Sequence, residues 1–402
     1  MKFRPLSSVD VNSPITFLLN SPIDEYFKLD TLFLHWSIQV KLEKTDKSAL
    51  VEADWLTLKP CNYLFHAMIK QVDIEINGKQ VFNLPQNYSY RAYMEALMGF
   101  SNDAKSSHLS AALWMTDTAR QKIIKSTETN YENGQKVDML GKIHTDLSFQ
   151  GRALLGGSQI KIQVTLNDPK FYMEKGESYD IKVNVSDVTL YVHKAKLSPT
   201  IVDAHRRALT IAPAKYPITR IEVKQHPIPK GLLDVWLDNL VYGQLPRRMF
   251  LVLVDNEAFN GSFKKDPFNF QHFNVSHLSC YLDGTQYPAI AYQPDFKNKS
   301  CIREYIGLYQ ALNQSGTDSH IVMSREDFLS HPIFGFNFAP DLSDGCGMIG
   351  HVNPIRKGIL RLQLRFKEVL PQAINVIAYC EFDNIIEMHS DGTVLNNVNG
   401  FQ

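Results

Sequence analysis

Residues 61–84 read CNYLFHAMIKQVDIEINGKQVFNL, and residues 267–290 read PFNFQHFNVSHLSCYLDGTQYPAI. Shifted by 206 positions, the two stretches agree in kind. His66 falls on His272, Ile69 on Val275, Val72 on Leu278, Ile74 on Cys280, Ile76 on Leu282 and Gly78 on Gly284. Each has an aromatic-rich entry, a run alternating apolar and polar, and a turn, Asn77-Gly78 or Asp283-Gly284. Alternation is the pattern of a half-buried strand, whose successive side chains point to opposite faces. Asn-Gly and Asp-Gly favour a two-residue hairpin, because a type I′ turn needs positive φ at both central residues. Gly78 and Gly284 are therefore assigned as structural turn residues in equivalent places. A helix follows each hairpin. Tyr90–Phe100 carries Tyr90, Tyr93, Met94, Leu97 and Met98 at helical spacing and closes at Gly99; Ile302–Leu312 sets Ile302, Tyr305, Ile306 and Tyr309 on one face.

The correspondence continues outward. Gly358–Phe366 (GILRLQLRF) matches Ser158–Leu166 at an offset of 200, pairing Ile160 with Leu360, Ile162 with Leu362 and Val164 with Leu364. Ile374–Met388 matches the region from Ile181. Further strands are expected at Ile15–Leu19, Leu29–Leu42, Leu64–Ile76, Leu147–Ala153, Gln159–Leu166 and Ile181–Lys194. In the second half they are expected at Arg220–Gln225, Leu232–Leu240, Arg248–Asp255 and Pro332–Phe338, with RMFLVLVD (248–255) buried on both faces. Strands without βαβ spacing imply antiparallel sheets, and about eight of them per half imply a sandwich of the jelly-roll type. The fold class is thus all-β with a few short helices: two tandem eight-stranded antiparallel jelly rolls, a double jelly roll. The expected boundaries are 1–198 for the first, carrying a long polar loop at 101–150, then a junction at 199–217 marked by Pro199, Pro213 and Pro217, then 218–402 for the second.

Length and charge bound the function. A chain of 402 residues exceeds what one core usually serves. Lys+Arg 42 against Asp+Glu 42 gives no net charge, which argues against a nucleic-acid-coating role and leaves little repulsion to oppose self-association. Cys61, Cys280, Cys301, Cys346 and Cys380 are dispersed, with no CxxC pair, so neither a disulfide framework nor a zinc site is expected. MKFRPLSSVD has no apolar core, and no apolar run approaches a membrane span, so neither a secretory signal nor a transmembrane segment is expected.

The search for chemistry yields no catalytic constellation and no cofactor. Phosphate-loop, dinucleotide, HExxH and GxSxG patterns are missing; Gly156-Gly157-Ser158-Gln159-Ile160 lacks the second glycine. His66, His272 and His351 lack partners at metal-ligand spacing, and an odd spacing sets His272 and His277 on opposite strand faces. Two carboxylate sets, Asp341 with Asp344 and Glu381 with Asp383 and Glu387, read as solvated surface. Asp341-Leu342-Ser343-Asp344-Gly345 presents oxygens on a turn, a weak calcium candidate, although a plain Asx turn is the better reading. The basic pairs Arg206-Arg207, Arg247-Arg248, Lys264-Lys265 and Arg356-Lys357 read as surface or inter-subunit ion pairs.

Six stretches carry a resemblance: IKIQVTLNDPKFYM (160–173), LDNLVYGQLPRRMFLVLVDNEAFNG (237–261), DPFNFQHFNVSHLSCYLDG (266–284), FGFNFAPDLSDG (334–345), GILRLQLRF (358–366) and NVIAYCEFDNIIEM (375–388). They resemble the major capsid protein of Polinton/Maverick elements and the related adintoviruses. The resemblance implies a hexon-like homotrimeric capsomer that tiles an icosahedral shell around double-stranded DNA. It also implies a single jelly-roll penton protein as partner, DNA contact that is non-specific at most, a virion location and no catalytic residues. On that footing, loops 101–150, 285–300 and 312–330 become candidates for outer and inter-subunit surface, and the arm and 197–217 junction for base-side contacts. A different class of reading is a lectin-like jelly-roll module, which predicts a monomer with an exposed aromatic platform. A cupin or glycosidase enzyme would instead need a metal or a buried carboxylate pair.

Overall fold

A computed structural model describes residues 1–9, 13–83, 87–126, 131–316, 321, 323–339 and 355–396. Sixteen principal strands build its two sandwiches among the described residues, and a short strand, Val394–Asn396, pairs with the end of the last of them. The first eight are β1 (Lys2–Phe3), β2 (Ile15–Asn20), β3 (Glu25–Lys44), β4 (Ile69–Ile76), β5 (Lys79–Asn83), β6 (Val137–Lys142), β7 (Gln159–Leu166) and β8 (Tyr179–Lys196). The second eight are β9 (Ala214–Ile228), β10 (Asp234–Gln244), β11 (Arg248–Asp255), β12 (Val275–Leu282), β13 (Thr285–Tyr292), β14 (Phe334–Asn337), β15 (Lys357–Phe366) and β16 (Ile374–Met388). The first set forms sheets β1-β8-β3-β6 and β2-β7-β4-β5; the second forms β9-β16-β11-β14 and β10-β15-β12-β13. Each strand of the first set thus has its counterpart eight strands later, in the same antiparallel order. This is the double jelly roll that the alternation predicts.

Registers repeat as closely as the order. In the first sandwich Ile76 pairs with Ile160, Ile74 with Ile162 and Val72 with Val164. In the second Leu282 pairs with Leu360, Cys280 with Leu362 and Leu278 with Leu364. Both ladders carry an irregularity at the start of the hairpin strand, between Ile69 and Gln71 and between Val275 and His277. The inward residues of these rows, such as Ile74, Ile162, Cys280 and Leu362, are buried. At roughly 25 cal/mol per Å² of apolar surface removed from water, these inner rows are the main stabilising term of each sandwich.

The described residues separate into two compact units, the first made of residues 1–93, 103–218 and 385–396, the second of residues 94–102 and 219–384. Among the described residues three helices exceed two turns: α1 (Tyr88–Gly99), α2 (Pro199–Ile211) and α3 (Ile302–Ala311). Helix α3 turns Gly307, Leu308 and Ala311 inward and leaves Ile302 and Ile306 exposed. Leu308 and Ala311 lie against Gly335 of β14, where an added Cβ would come 2.7 Å from the Ala311 methyl. Glycine is therefore required there for close approach rather than for its dihedral freedom.

Several expectations need correction. The proline-marked junction is mostly helical: Ser198 stands at the N-cap position of α2 and Pro199 inside its first turn, where a missing N–H costs nothing. The 101–150 segment is not a plain loop. It holds short helices at Asn102–Ser106, His108–Ala112 and, near its end, Asp146–Phe149, as well as strand β6; the strand expected at Leu147–Ala153 is absent. Val137–Lys142 alternates, but its outer positions carry Asp138 and Lys142, which hid it within a polar run. The expected 64–76 strand begins with a helical turn at Leu64–Ala67. Residues 285–292 are strand β13 rather than loop, and 325–330 within the expected 312–330 loop are helical.

Candidate functional site

The two hairpin turns share one construction. Asn77 and Gly78 have φ of 50° and 78°, and Asp283 and Gly284 have 49° and 86°. In each turn the first residue locks onto the neighbouring strand. The Asn77 amide N–H donates to the Gln159 carbonyl (2.9 Å), and its Oδ1 accepts from the Gln159 N–H (2.9 Å). The Asp283 N–H donates to the Ile359 carbonyl (3.1 Å), and its Oδ1 accepts from the Ile359 N–H (2.8 Å). Gln159 and Ile359 are themselves 200 positions apart, so even the clamp is duplicated.

The equivalent histidines have diverged. His66 is buried in the helical turn before β4, its Nδ1 at 3.1 Å from the Tyr88 hydroxyl. The His144 ring stands edge-on to it at 4.7 Å, and the Tyr63 hydroxyl meets His144 Nε2 at 3.1 Å. Sequence spacing gave His66 no partner; the 101–150 segment supplies one. Burial, and secondarily the neighbouring His144, push the His66 imidazole well below its usual range, so it is neutral at physiological pH. His272 lies in the turn before β12, not on the strand. It stacks on Phe296 at 4.4 Å, and its Nδ1 accepts the Asn274 N–H. Burial lowers its pKa too. His277, on β12, meets Ser279 Oγ at 3.2 Å.

Glu381 and Asp383 are not solvated surface. Both are buried on β16, where Arg247 reaches Glu381 at 3.0 Å and Asp383 at 3.3 Å, while Arg248 donates to Glu381 at 2.7 Å. Arg220, paired with Glu222, lies over the Phe382 ring at 4.3 Å and donates to Gln244. Arg247-Arg248 is therefore an internal structural pair of the second unit, and every carboxylate of this set has a cation against it. The first unit has its own buried pair, Arg91 with Asp146 at 2.7 Å. Glu387 stands apart, 3.5 Å from Lys215. Of the other basic pairs, Lys265 bridges Asp255 and Glu257, Arg356 donates to the Phe338 carbonyl, and Arg206-Arg207 is exposed on α2. Asp341, Asp344, Cys346 and His351 lie outside the described residues. Among the described residues no three His, Cys, Asp or Glu side chains converge as a metal site would require, and no helix is long and apolar enough to cross a membrane.

Two outward sheet faces stand out, and sequence reasoning missed both because only register brings their residues together. On sheet β10-β15-β12-β13 the outward row carries Trp236 (47% exposed), Tyr281 and Tyr242 (79% exposed). The Trp236 and Tyr281 rings are 5.3 Å apart. Beneath them Gln363 and Ser279 are buried, and the Tyr281 hydroxyl donates to Gln286 and Gln363. On sheet β1-β8-β3-β6 the outward residues include Phe33, Leu140 and Tyr191, all more than a third exposed, with His35 edge-on to Tyr191. Phe149, beside them in sequence, lies under the Lys142 ammonium at 4.6 Å.

No protein-family model matches the chain. The uncharacterized protein F54H12.2 of Caenorhabditis elegans is 26% identical over 398 residues, which cover 95% of this chain and 93% of that one. Among solved structures the class of fold recurs in viral shells. A chain of the Sputnik virophage aligns with a TM-score of 0.66 at 11% identity, covering 100% of this chain and 89% of its own. The mavirus major capsid protein aligns at 0.60 and 11%, covering 100% and 90%, and the Faustovirus major capsid protein at 0.59 and 11%, covering 96% and 89%. At such identities the likeness is one of fold: the antiparallel double jelly roll of these capsid proteins spans the whole chain.

Proposed function

We propose that this chain is a major capsid protein, a structural subunit that forms hexon-like homotrimers and tiles an icosahedral shell around double-stranded DNA. The observation that carries the reading is the pairing of two equivalent jelly rolls in one chain, strand for strand, over the length shared with the mavirus and Faustovirus major capsid proteins. A single sandwich suffices for a binding module; tandem duplication fits a subunit that must present repeated, similar edges to its neighbours. The polar clusters support a structural role, since the buried carboxylates Glu381, Asp383 and Asp146 are each held by an arginine. The Polinton/Maverick and adintovirus resemblance supplies the finer reading: a virion location, a single jelly-roll penton partner and DNA held non-specifically at most. Many modest contacts, each removing apolar surface from water, then sum over a closed shell. Native mass measurement with negative-stain imaging tests the proposal. Trimers or particles are expected, and a monomer persisting across salt and pH overturns it.

A further inference from the structure

The helices that follow the two hairpins are alike in sequence and in place, and unlike in cover. Each lies on the crossover between like-placed strands, α1 between β5 and β6 and α3 between β13 and β14. Shifted by 212 positions, Arg91 falls on Arg303, Tyr93 on Tyr305 and Met94 on Ile306. The C-terminal half of α1 belongs to the second unit, with the rest of residues 94–102. There Met94 is fully buried, and Glu95 accepts a hydrogen bond from the Tyr379 hydroxyl of β16 at 3.2 Å. Its counterpart in α3 is bare: Ile306 is 42% exposed, and Ile302, one turn earlier, is exposed with it. Ile290 of β13 is 72% exposed and is joined to them through Arg303, which donates to its carbonyl. Arg303 also donates to the Ala291 carbonyl and lies over the Tyr292 ring at 5.1 Å.

The surface that residues 94–102 meet in the second unit has a bare counterpart in the first. On β9-β16-β11-β14, Tyr379, Phe250 and Gly335 stand in one ladder row across β16, β11 and β14. All three are buried, with Leu308 and Ala311 against Gly335 and Glu95 against Tyr379. On β1-β8-β3-β6 the corresponding strands β8, β3 and β6 carry Tyr191, Phe33 and Lys142 in one row. Here the tyrosine and the phenylalanine are exposed, and so is Leu140, two residues before Lys142 on β6. Lys2 and Lys142 close the row at its two ends. Lys142 lies over the Phe149 ring at 4.6 Å, and Asp138 is held by His35 and Ser37, so charge plays no part in choosing what covers this row.

We propose that helix α3 of one copy, through Ile302 and Ile306 with Ile290, covers the Tyr191–Phe33 row of a second copy of this chain. It takes there the place that residues 94–102 hold on the Tyr379 row. The internal repeat names the occupant. Duplication supplies two hairpin helices and two Tyr–Phe rows; one helix and one row are satisfied in the second unit, and the remaining helix and row are both bare. The inference rests on the self-assembly reading above and names its surface. Two different patches meeting head to tail make a heterologous contact, the kind that closes into a ring when the rotation permits. Burial of isoleucine and aromatic surface supplies its affinity.

Native mass spectrometry of the full chain across a dilution series, together with cysteine cross-linking, tests this. Ile306→Glu and Tyr191→Ser are each expected to weaken association at least about tenfold. Both positions are exposed, and circular dichroism on each variant separates loss of docking from loss of fold. Cross-linking supplies a second readout, because Cys61, Cys280, Cys301 and Cys380 are buried. Ile306→Cys mixed with Tyr191→Cys under a mild oxidant should give a dimer on a non-reducing gel, and neither variant alone should. If the wild type assembles, both weakening variants assemble equally well and no mixed dimer forms, this surface is wrong while the capsid reading stands. Dimers of Ile306→Cys with itself would make the contact isologous and also overturn it. A wild type that stays monomeric overturns both.

Discussion

The sheets β2-β7-β4-β5 and β10-β15-β12-β13 have the same strand order, the same inward row and the same turn, and Lys161 and Gln163 recur as Arg361 and Gln363, yet Thr16, Asn20 and Glu75 stand where the second has Trp236, Tyr242 and Tyr281. One carries Thr16, Asp73, Glu75 and Lys161; the other carries Trp236, Tyr242, Tyr281 and Arg361. Inner rows are held by packing, which tolerates little change in volume, whereas outward rows are free to follow whatever they meet. A second contrast lies in the polar interior. The second unit buries a cluster of Arg247, Arg248, Glu381 and Asp383 on its strands, while the first buries the pair Arg91 and Asp146 and a histidine–tyrosine cluster. Equivalent backbones therefore carry different liabilities.

The sharpest way to break the comparison is through the buried charges. Arg247→Met leaves Asp383 without its cation and Glu381 with Arg248 alone, and is expected to cost the second unit about 3–5 kcal/mol, measured by denaturant unfolding. Adding Glu381→Gln and Asp383→Asn should recover much of it; no recovery would mean that Arg247 acts through packing alone. The histidines come next. Because burial holds His66 below the usual 6.5, the unfolded chain takes up its proton first as pH falls. Stability of the first unit should then be intact above about pH 6.5 and fall below it, by up to about 1.4 kcal/mol per pH unit. His66→Gln should flatten that slope, while the half-buried His272 contributes a shallower one of the same sign; thermal melts between pH 7.5 and 5 read both.

Smaller effects test the equivalence of the turns. Gly78→Ala and Gly284→Ala should cost about 1–2 kcal/mol each, and nearly the same, since both sit at positive φ with nothing within 4 Å of the added Cβ. Unequal costs would show that the turns carry different loads. Smallest of all, Trp236→Ala should change the unfolding free energy of the isolated chain by less than about 0.5 kcal/mol. A larger loss in denaturant titration would make Trp236 a fold residue rather than a surface one.

The features legible in the sequence were the periodic and the local ones. Ile69–Ile76 and Val275–Leu282 announce themselves by alternation, and Asn77-Gly78 and Asp283-Gly284 by a backbone need that few residues meet. Strand β6 and helix α2 were missed because their signals have two meanings. A strand with Asp138 and Lys142 outward reads as loop, and Pro199 reads as a breaker unless Ser198 before it is read as a cap. The polar centres were illegible for another reason. Glu381 and Asp383 look like solvent-facing carboxylates until strand pairing sets them beside Arg247, 134 residues away from Glu381 in sequence. His66 likewise meets His144 only through the fold.

The clamp made by Asn77 and Asp283 has a consequence for how such a chain can change. A strand that slips by one residue exchanges its buried and exposed sides, so anything that pins the ladder from its end relieves the visible surface of that duty. With the hairpin tied to its neighbour at Gln159 or Ile359, the outer skin becomes rewritable. One copy keeps a polar coat while the other carries an aromatic one, and neither edit had to be negotiated with the core.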